Sequence, residues 1–149
     1  MAQLWFYHLE RSELEQALAP LLEKCLQRGW RALVRGSVAE RIEALDTLLW
    51  TYRDDSFLPH GRDVDPAPER QPVLLTTEGG NANQAQALFL IDGAEPGDIS
   101  SFERASLMFD GRDVHALEMA RLHWKRAKDA GMQAAYWRES ASGKWERQT

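Results

Sequence analysis

"QLWFYHLERSELEQALAPLLEKCLQRGWRALVRG", Gln3 to Gly36, decides the fold. Its first seven residues, "QLWFYHL", are short and aromatic-rich, which reads as a buried strand. Leu14, Leu18, Leu21 and Cys25 then recur at helical spacing, with Ser12 placed as the N-cap and Gly29 as the stop. "WRALVRG" is again a short apolar strand. "SVAERIEALDTLLWTY", from Ser37 onward, returns to the helical pattern, with Ser37 as cap and Glu40 three residues on. Two strand-helix units in succession imply a parallel sheet, because parallel neighbours need a crossover long enough to bring the chain back.

Outward from that core, Arg53 to Gln71 turns to Asp, Arg, Pro and Gly and reads as a long surface excursion. "PVLLTT", "QALFLIDG" and "RASLMFDG" are three further strands. A helix runs from roughly Arg112 to Ala130 and stops at Gly131, and "MQAAYWRE" makes the last strand. The polar tail from about residue 141 is expected to fray. The sum is one domain over residues 1–149. It is an α/β fold with an open, mostly parallel sheet and helices on both faces, Rossmann-like in layout.

With 149 residues, 44% of them hydrophobic, the chain has enough apolar material for a core without metal or disulfide support. A formal net charge of −5 argues against general attraction to a nucleic-acid backbone, so any such contact is expected to be indirect. Cys25 is the single cysteine and lies in a core stripe, where it reads as a buried thiol. There is no basic leader into an apolar run and no run approaching the ~20 residues that span a bilayer, so a cytoplasmic protein is expected.

A nucleotide would be sought first at the turn after the first strand. That turn, "HLERSE", has no glycine or lysine and carries two glutamates, which would repel a phosphate. "TTEGGNANQ" has paired glycines without a lysine. Asp54, Asp55, His60, Asp63 and Asp65 supply hard metal ligands in one loop, but their spacing fits neither a calcium loop nor an H-E-x-x-H helix. No catalytic residue, metal or cofactor is expected. The alternative is a nucleotide-binding or metal-dependent phosphoester enzyme on the same fold.

Two patches point to binding. Trp50, Phe57 and Pro59 sit in or beside a loop, either folded back as a satellite cluster or offered to a partner, with His60 as a loop-fixing hydrogen-bond group. From Arg112 to Lys128 the net charge is +3, while the remainder of the chain carries −8. Over a core stripe of Leu117, Ala120, Trp124 and Ala127, the residues Arg121, Lys125 and Lys128 share one ridge with Trp124 beside them. Such a ridge on an acidic protein attracts an acidic peptide.

"LLW" followed by "SFLPH", matched by Leu49, Trp50, Ser56, Phe57, Leu58, Pro59 and His60, resembles the chi subunit of bacterial DNA polymerase III. "ARLHWKRAKDAGM", Ala120 to Met132, resembles a second block of that family, and the order of elements agrees over nearly the whole chain. The resemblance implies a non-enzymatic clamp-loader adaptor whose α/β fold lacks the phosphate loop. It implies as partner the acidic C-terminal tail of single-stranded DNA-binding protein, received by Arg121, Trp124, Lys125 and Lys128. It also implies the psi subunit, where present, as partner of Trp50, Phe57, Pro59 and His60. The acidic, Pro-rich stretch at 61–72 departs from the family pattern.

Overall fold

The computed structural model describes residues 3–51, 59–142 and 144–148. The strands are β1 (Gln3–Leu9), β2 (Ala32–Arg35), β3 (Gly61–Arg62), β4 (Val73–Thr76), β5 (Ala87–Leu90), β6 (Arg104–Asp110), β7 (Ala134–Glu139) and β8 (Trp145–Arg147). The helices are α1 (Leu14–Gln27), α2 (Ala39–Thr51) and α3 (Val114–Asp129). One open sheet takes the order β3-β4-β2-β5-β6-β1-β7-β8, parallel throughout except for the antiparallel β8. The expected α/β class and mostly parallel sheet are therefore what the chain adopts.

β2, β4 and β5 are buried at every position, which is why they read as unbroken apolar runs instead of alternating ones. α1 carries the chain from β1 past β6 and β5 to β2, whereas α3 carries it the other way, from β6 past β1 to β7. With crossovers of one hand, opposite directions place the helices on opposite faces. Two cores result. Leu18, Leu22, Ile42, Leu45 and Leu49 from α1 and α2 fill one side with Tyr7 and Phe89, while Ala120 and Ala127 from α3 fill the other with Phe6, Leu88 and Phe102.

Helix ends follow the glycines. Gly29 adopts φ +82°, its N–H reaches the Leu26 carbonyl and the Trp30 N–H reaches that of Cys25, a Schellman stop that Gly131 and Met132 repeat after α3. The starts differ from the sequence expectation. Glu13, not Ser12, is the N-cap of α1, with Gln16 closing the box. Ser37 spends its hydroxyl on the Asp92 carbonyl at 2.5 Å, and α2 begins at Ala39. Leu22, not Leu21, lies fully buried in α1, and Cys25 is buried as expected. Within the polar tail, residues 145–147 form β8, which pairs with β7, and the Trp145 ring sits edge-on against Tyr7 at 4.9 Å. An indole with an apolar site within reach orders a segment whose other residues are polar.

Ser12 has another task. Glu139, at the end of β7, is 3% exposed. Its Oε1 accepts the backbone N–H groups of Glu10, Arg11 and Ser12 at 3.1, 2.7 and 2.9 Å, and its Oε2 accepts the Ser12 hydroxyl at 2.5 Å. Burial pushes this carboxyl up, but the hydrogen bonds from Ser12, Arg11 and Glu10 together outweigh it and bring the pKa down to about 2. A carboxylate held below its ordinary range stabilises the fold fully above about pH 4.5 and loses that contribution as pH falls toward 2. Glu139→Gln keeps the volume but removes the charge and turns donors toward donors, so it should cost about 2 kcal/mol in denaturant unfolding at pH 7. The gap between variant and wild type should narrow below pH 4.5, and a gap constant with pH would refute the assignment.

Candidate functional site

α3 starts at Asp113, whose carboxylate accepts the N–H groups of His115 and Ala116. Its sheet-facing stripe is Ala120, His123 and Ala127, all buried, with Leu117 and Trp124 half-buried against the same core. The two alanines let the helix lie close to the sheet. His123 belongs to the stripe by its three- and four-residue spacing from its neighbours, which a reading by residue type passed over.

Arg121, Lys125, Arg126 and Lys128 are exposed on the outer side. Among the described residues none of them has a carboxylate within 4 Å, whereas Arg41, Arg112 and Arg138 each do. Trp124 stands between this ridge and the sheet, edge-on to Phe6 at 5.3 Å and to Tyr136 at 5.7 Å. The Lys128 ammonium lies 5.2 Å from the Trp124 ring centroid, in the range for cation–π attraction. All four residues predicted for the ridge thus share one side of α3.

Tyr136 is the member that the sequence reading missed. β7 places it beside Trp124, and its hydroxyl lies 2.7 Å from His8 Nδ1. Burial raises the Tyr136 hydroxyl's pKa, with the Arg138 and Arg121 guanidiniums opposing. Burial lowers that of His8, with Glu10 opposing, so the pair stays neutral and fixed beneath Arg121. Gly111 makes room for this arrangement, since a Cβ there would stand 1.8 Å from His8 Nε2.

On the other patch, Trp50 is 50% exposed and its ring tilts against that of His60 at 4.2 Å. His60 is buried, with Nε2 3.1 Å from both the carbonyl and Oδ1 of Asp46 on α2. It ties the loop to the helix. Pro59 is half-buried, and Phe57 lies outside the described residues, as do Asp54 and Asp55. Asp63 accepts the Thr76 hydroxyl at 2.7 Å and Asp65 the Arg62 N–H at 2.9 Å. These acids hold turns, and among the described residues no three potential metal-ligating side chains converge.

A concavity of about 680 Å³ opens at the carboxyl ends of β1, β5 and β6, where open α/β sheets commonly take ligands. It is lined by Glu13, Asp92, Glu95, Asp110 and Asp113, and its guanidiniums, Arg41 and Arg112, are already paired with acids. The backbone nest beside it, where a dinucleotide fold cradles phosphate, is filled by Glu139.

The class is an open α/β protein whose phosphate nest is closed by its own carboxylate and one of whose helices carries a ridge of unneutralised cations. Residues 1–135 match the family model "DNA polymerase III chi subunit, HolC", so the chain belongs to the chi subunit family. A protein of Rickettsia prowazekii (strain Madrid E) named "Probable DNA polymerase III subunit chi" is 34% identical over 100 residues, 67% of this chain and 59% of the relative. The match thus spans about three fifths of that relative's length.

Gly111→Ala should displace His8 and break its bond to Tyr136. A cost of about 1–3 kcal/mol, typical of overpacking, should appear in thermal melts, with loss of the downfield imidazole signature of His8 by NMR. A variant as stable as wild type, with His8 unmoved, would contradict this packing.

Proposed function

We propose that this chain is an adaptor without catalytic activity of its own, joining the polymerase III clamp loader to the acidic C-terminal tail of single-stranded DNA-binding protein in the cytoplasm. The observation that carries the reading is the set of unpaired cations around one half-buried indole. Arg121 offers a planar, two-pronged donor suited to a terminal carboxylate, and Lys125 and Lys128 serve as point charges for upstream acids. Trp124 and Tyr136, with the Arg121 stem, wall an apolar slot for the last side chain. At this ridge, nucleic acid is reached through the partner. This fits a chain with net charge −5 whose positive charge is local.

Trp50, whose ring packs on His60, and Pro59, with Phe57 near them in sequence, form the second contact, to the psi subunit where the organism has one. An indole half exposed at the end of an amphipathic helix is an anchor of the kind that dominates interfaces.

Fluorescence anisotropy with a labelled acidic peptide ending in an aromatic residue tests the first contact. Arg121→Ala should weaken binding by about 1.5–3 kcal/mol, the range for a charge-assisted hydrogen bond, and Lys128→Ala by under about 1 kcal/mol. Affinity should fall as salt rises from about 50 to about 300 mM, because screening tightens over that interval. Equal binding by wild type and Arg121→Ala would rule the ridge out. For the second contact, Trp50→Ala should melt near wild type yet lose about 2 kcal/mol or more of affinity for a psi subunit in calorimetry. A large drop in melting temperature with affinity retained would make Trp50 a packing residue instead.

A further inference from the structure

On the sheet face opposite α3, a second concavity of about 470 Å³ lies between α1 and the β1-β7-β8 edge. Trp5, Tyr7, Trp137 and Trp145 supply aromatic surface, and Lys24, Arg28 and Arg104 supply charge. Among the described residues no carboxylate lines it, and none of these three cations has a carboxylate within 4 Å. Its other titratable groups are neutral: burial pushes the Tyr7 hydroxyl up to about 12 and raises the Cys25 thiol as well. The pocket therefore carries about three positive charges inside a protein of net charge −5, with no carboxylate among its described lining residues to balance them.

Two of the three cations lie over indole rings. The Arg28 guanidinium lies 4.0 Å from the centroid of the Trp30 ring, and Arg104 lies 3.7 Å from Trp5 and 5.3 Å from Trp30. Trp5 in turn tilts against Trp137, with ring centroids 5.3 Å apart and an interplanar angle of 34°. The Trp137 indole N–H is buried without an acceptor among the described residues. Desolvation works against the charge on Arg104, a cost that a bound anion relieves.

Flat aromatic and guanidinium surfaces suit a planar heteroaromatic ring, and unpaired cations at the mouth suit a phosphate. The volume lies within the range of small-ligand sites and is too small for a folded partner. We propose that this pocket binds one phosphorylated nucleotide, its base stacked among Trp5, Trp137 and Trp145 and its phosphate on Lys24 and Arg28. The site is separate from the α3 ridge. The surplus of acid elsewhere limits it to a single nucleotide, free or unpaired in a strand, and excludes a long electrostatic track.

The test is NMR of the ¹⁵N-labelled full chain titrated with thymidine monophosphate, thymidine, inorganic phosphate and hexathymidylate. The indole N–H signals of Trp5, Trp137 and Trp145 should move with the monophosphate and hexathymidylate, and much less with thymidine or phosphate alone. Tighter binding of the monophosphate identifies a free nucleotide as ligand, and tighter binding of hexathymidylate identifies an unpaired strand; either supports the site. The double variant Lys24→Ala, Arg28→Ala alters exposed side chains and should keep a dispersed spectrum while binding about tenfold more weakly, as for loss of charge-assisted contacts. Arg121→Ala should bind nucleotide as wild type does, so failure here is distinguishable from failure of the peptide ridge. Unmoved pocket indoles with both nucleotide ligands, undiminished binding by the double variant, or a response only to an acidic aromatic peptide would each overturn the proposal.

Discussion

Three consecutive backbone N–H groups, those of Glu10, Arg11 and Ser12, converge on one carboxylate, and the fold's use depends on whose carboxylate it is. In an open α/β sheet the turn after the first strand is the natural seat for an anion, because amide donors and a helix N-terminus point to one place. Here Glu139 takes that seat from within. The bond joins the end of β7 to the start of α1, spanning 127 residues of sequence at Ser12. It fixes the carboxyl end of the sheet near the place where α1 departs. It also removes the donors that a phosphate would need, so the scaffold is left to present its outer surfaces.

The distribution of paired and unpaired cations then separates structure from recognition. Arg41 bridges Glu15 and Asp92, Arg138 pairs with Glu10, and Arg35 is buried with its guanidinium on the carbonyls of Glu78, Gly80 and Pro96. Each of these closes a loop over the sheet and has little left to offer a ligand. Arg121, Lys125 and Lys128 on α3, and Lys24, Arg28 and Arg104 across the sheet, have no such acid among the described residues. A cation beside an indole and away from acids keeps its field available to a partner. The α3 group lies beside Trp124, and Arg28 and Arg104 lie over Trp30 and Trp5.

The strand-helix alternation was legible in the sequence because each element carries one dominant signal: apolar runs for β2, β4 and β5, and helical spacing with a terminal glycine for α1 and α3. The ridge was legible for the same reason, since spacing alone places Arg121, Trp124, Lys125 and Lys128 together on a helix. What escaped was long-range. Ser12 looks like a cap until Glu139 arrives from the far end of the chain, and a polar tail looks frayed until Trp145 finds Tyr7. Tyr136 could be placed beside Trp124 only by knowing which face of β7 meets α3. None of these pairings has a local signature, because the partners meet only once the sheet has formed.

β7 shows how tightly the two faces are linked. Side chains alternate along a strand, so Tyr136 turns to α3 and Trp137 to the opposite pocket, and on β1 Phe6 lies between Trp5 and Tyr7 in the same way. Neighbouring residues therefore serve surfaces that a bound peptide and a bound nucleotide would occupy without touching. A register slip of one residue would exchange them, placing Trp137 under α3 and Tyr136 against Arg104's stack. Glu139, two residues beyond Trp137 and tied to the β1–α1 turn, resists such a slip, because any shift would take the carboxylate out of reach of all three N–H groups at once. The same interaction that closes the phosphate nest thus also holds both faces in register.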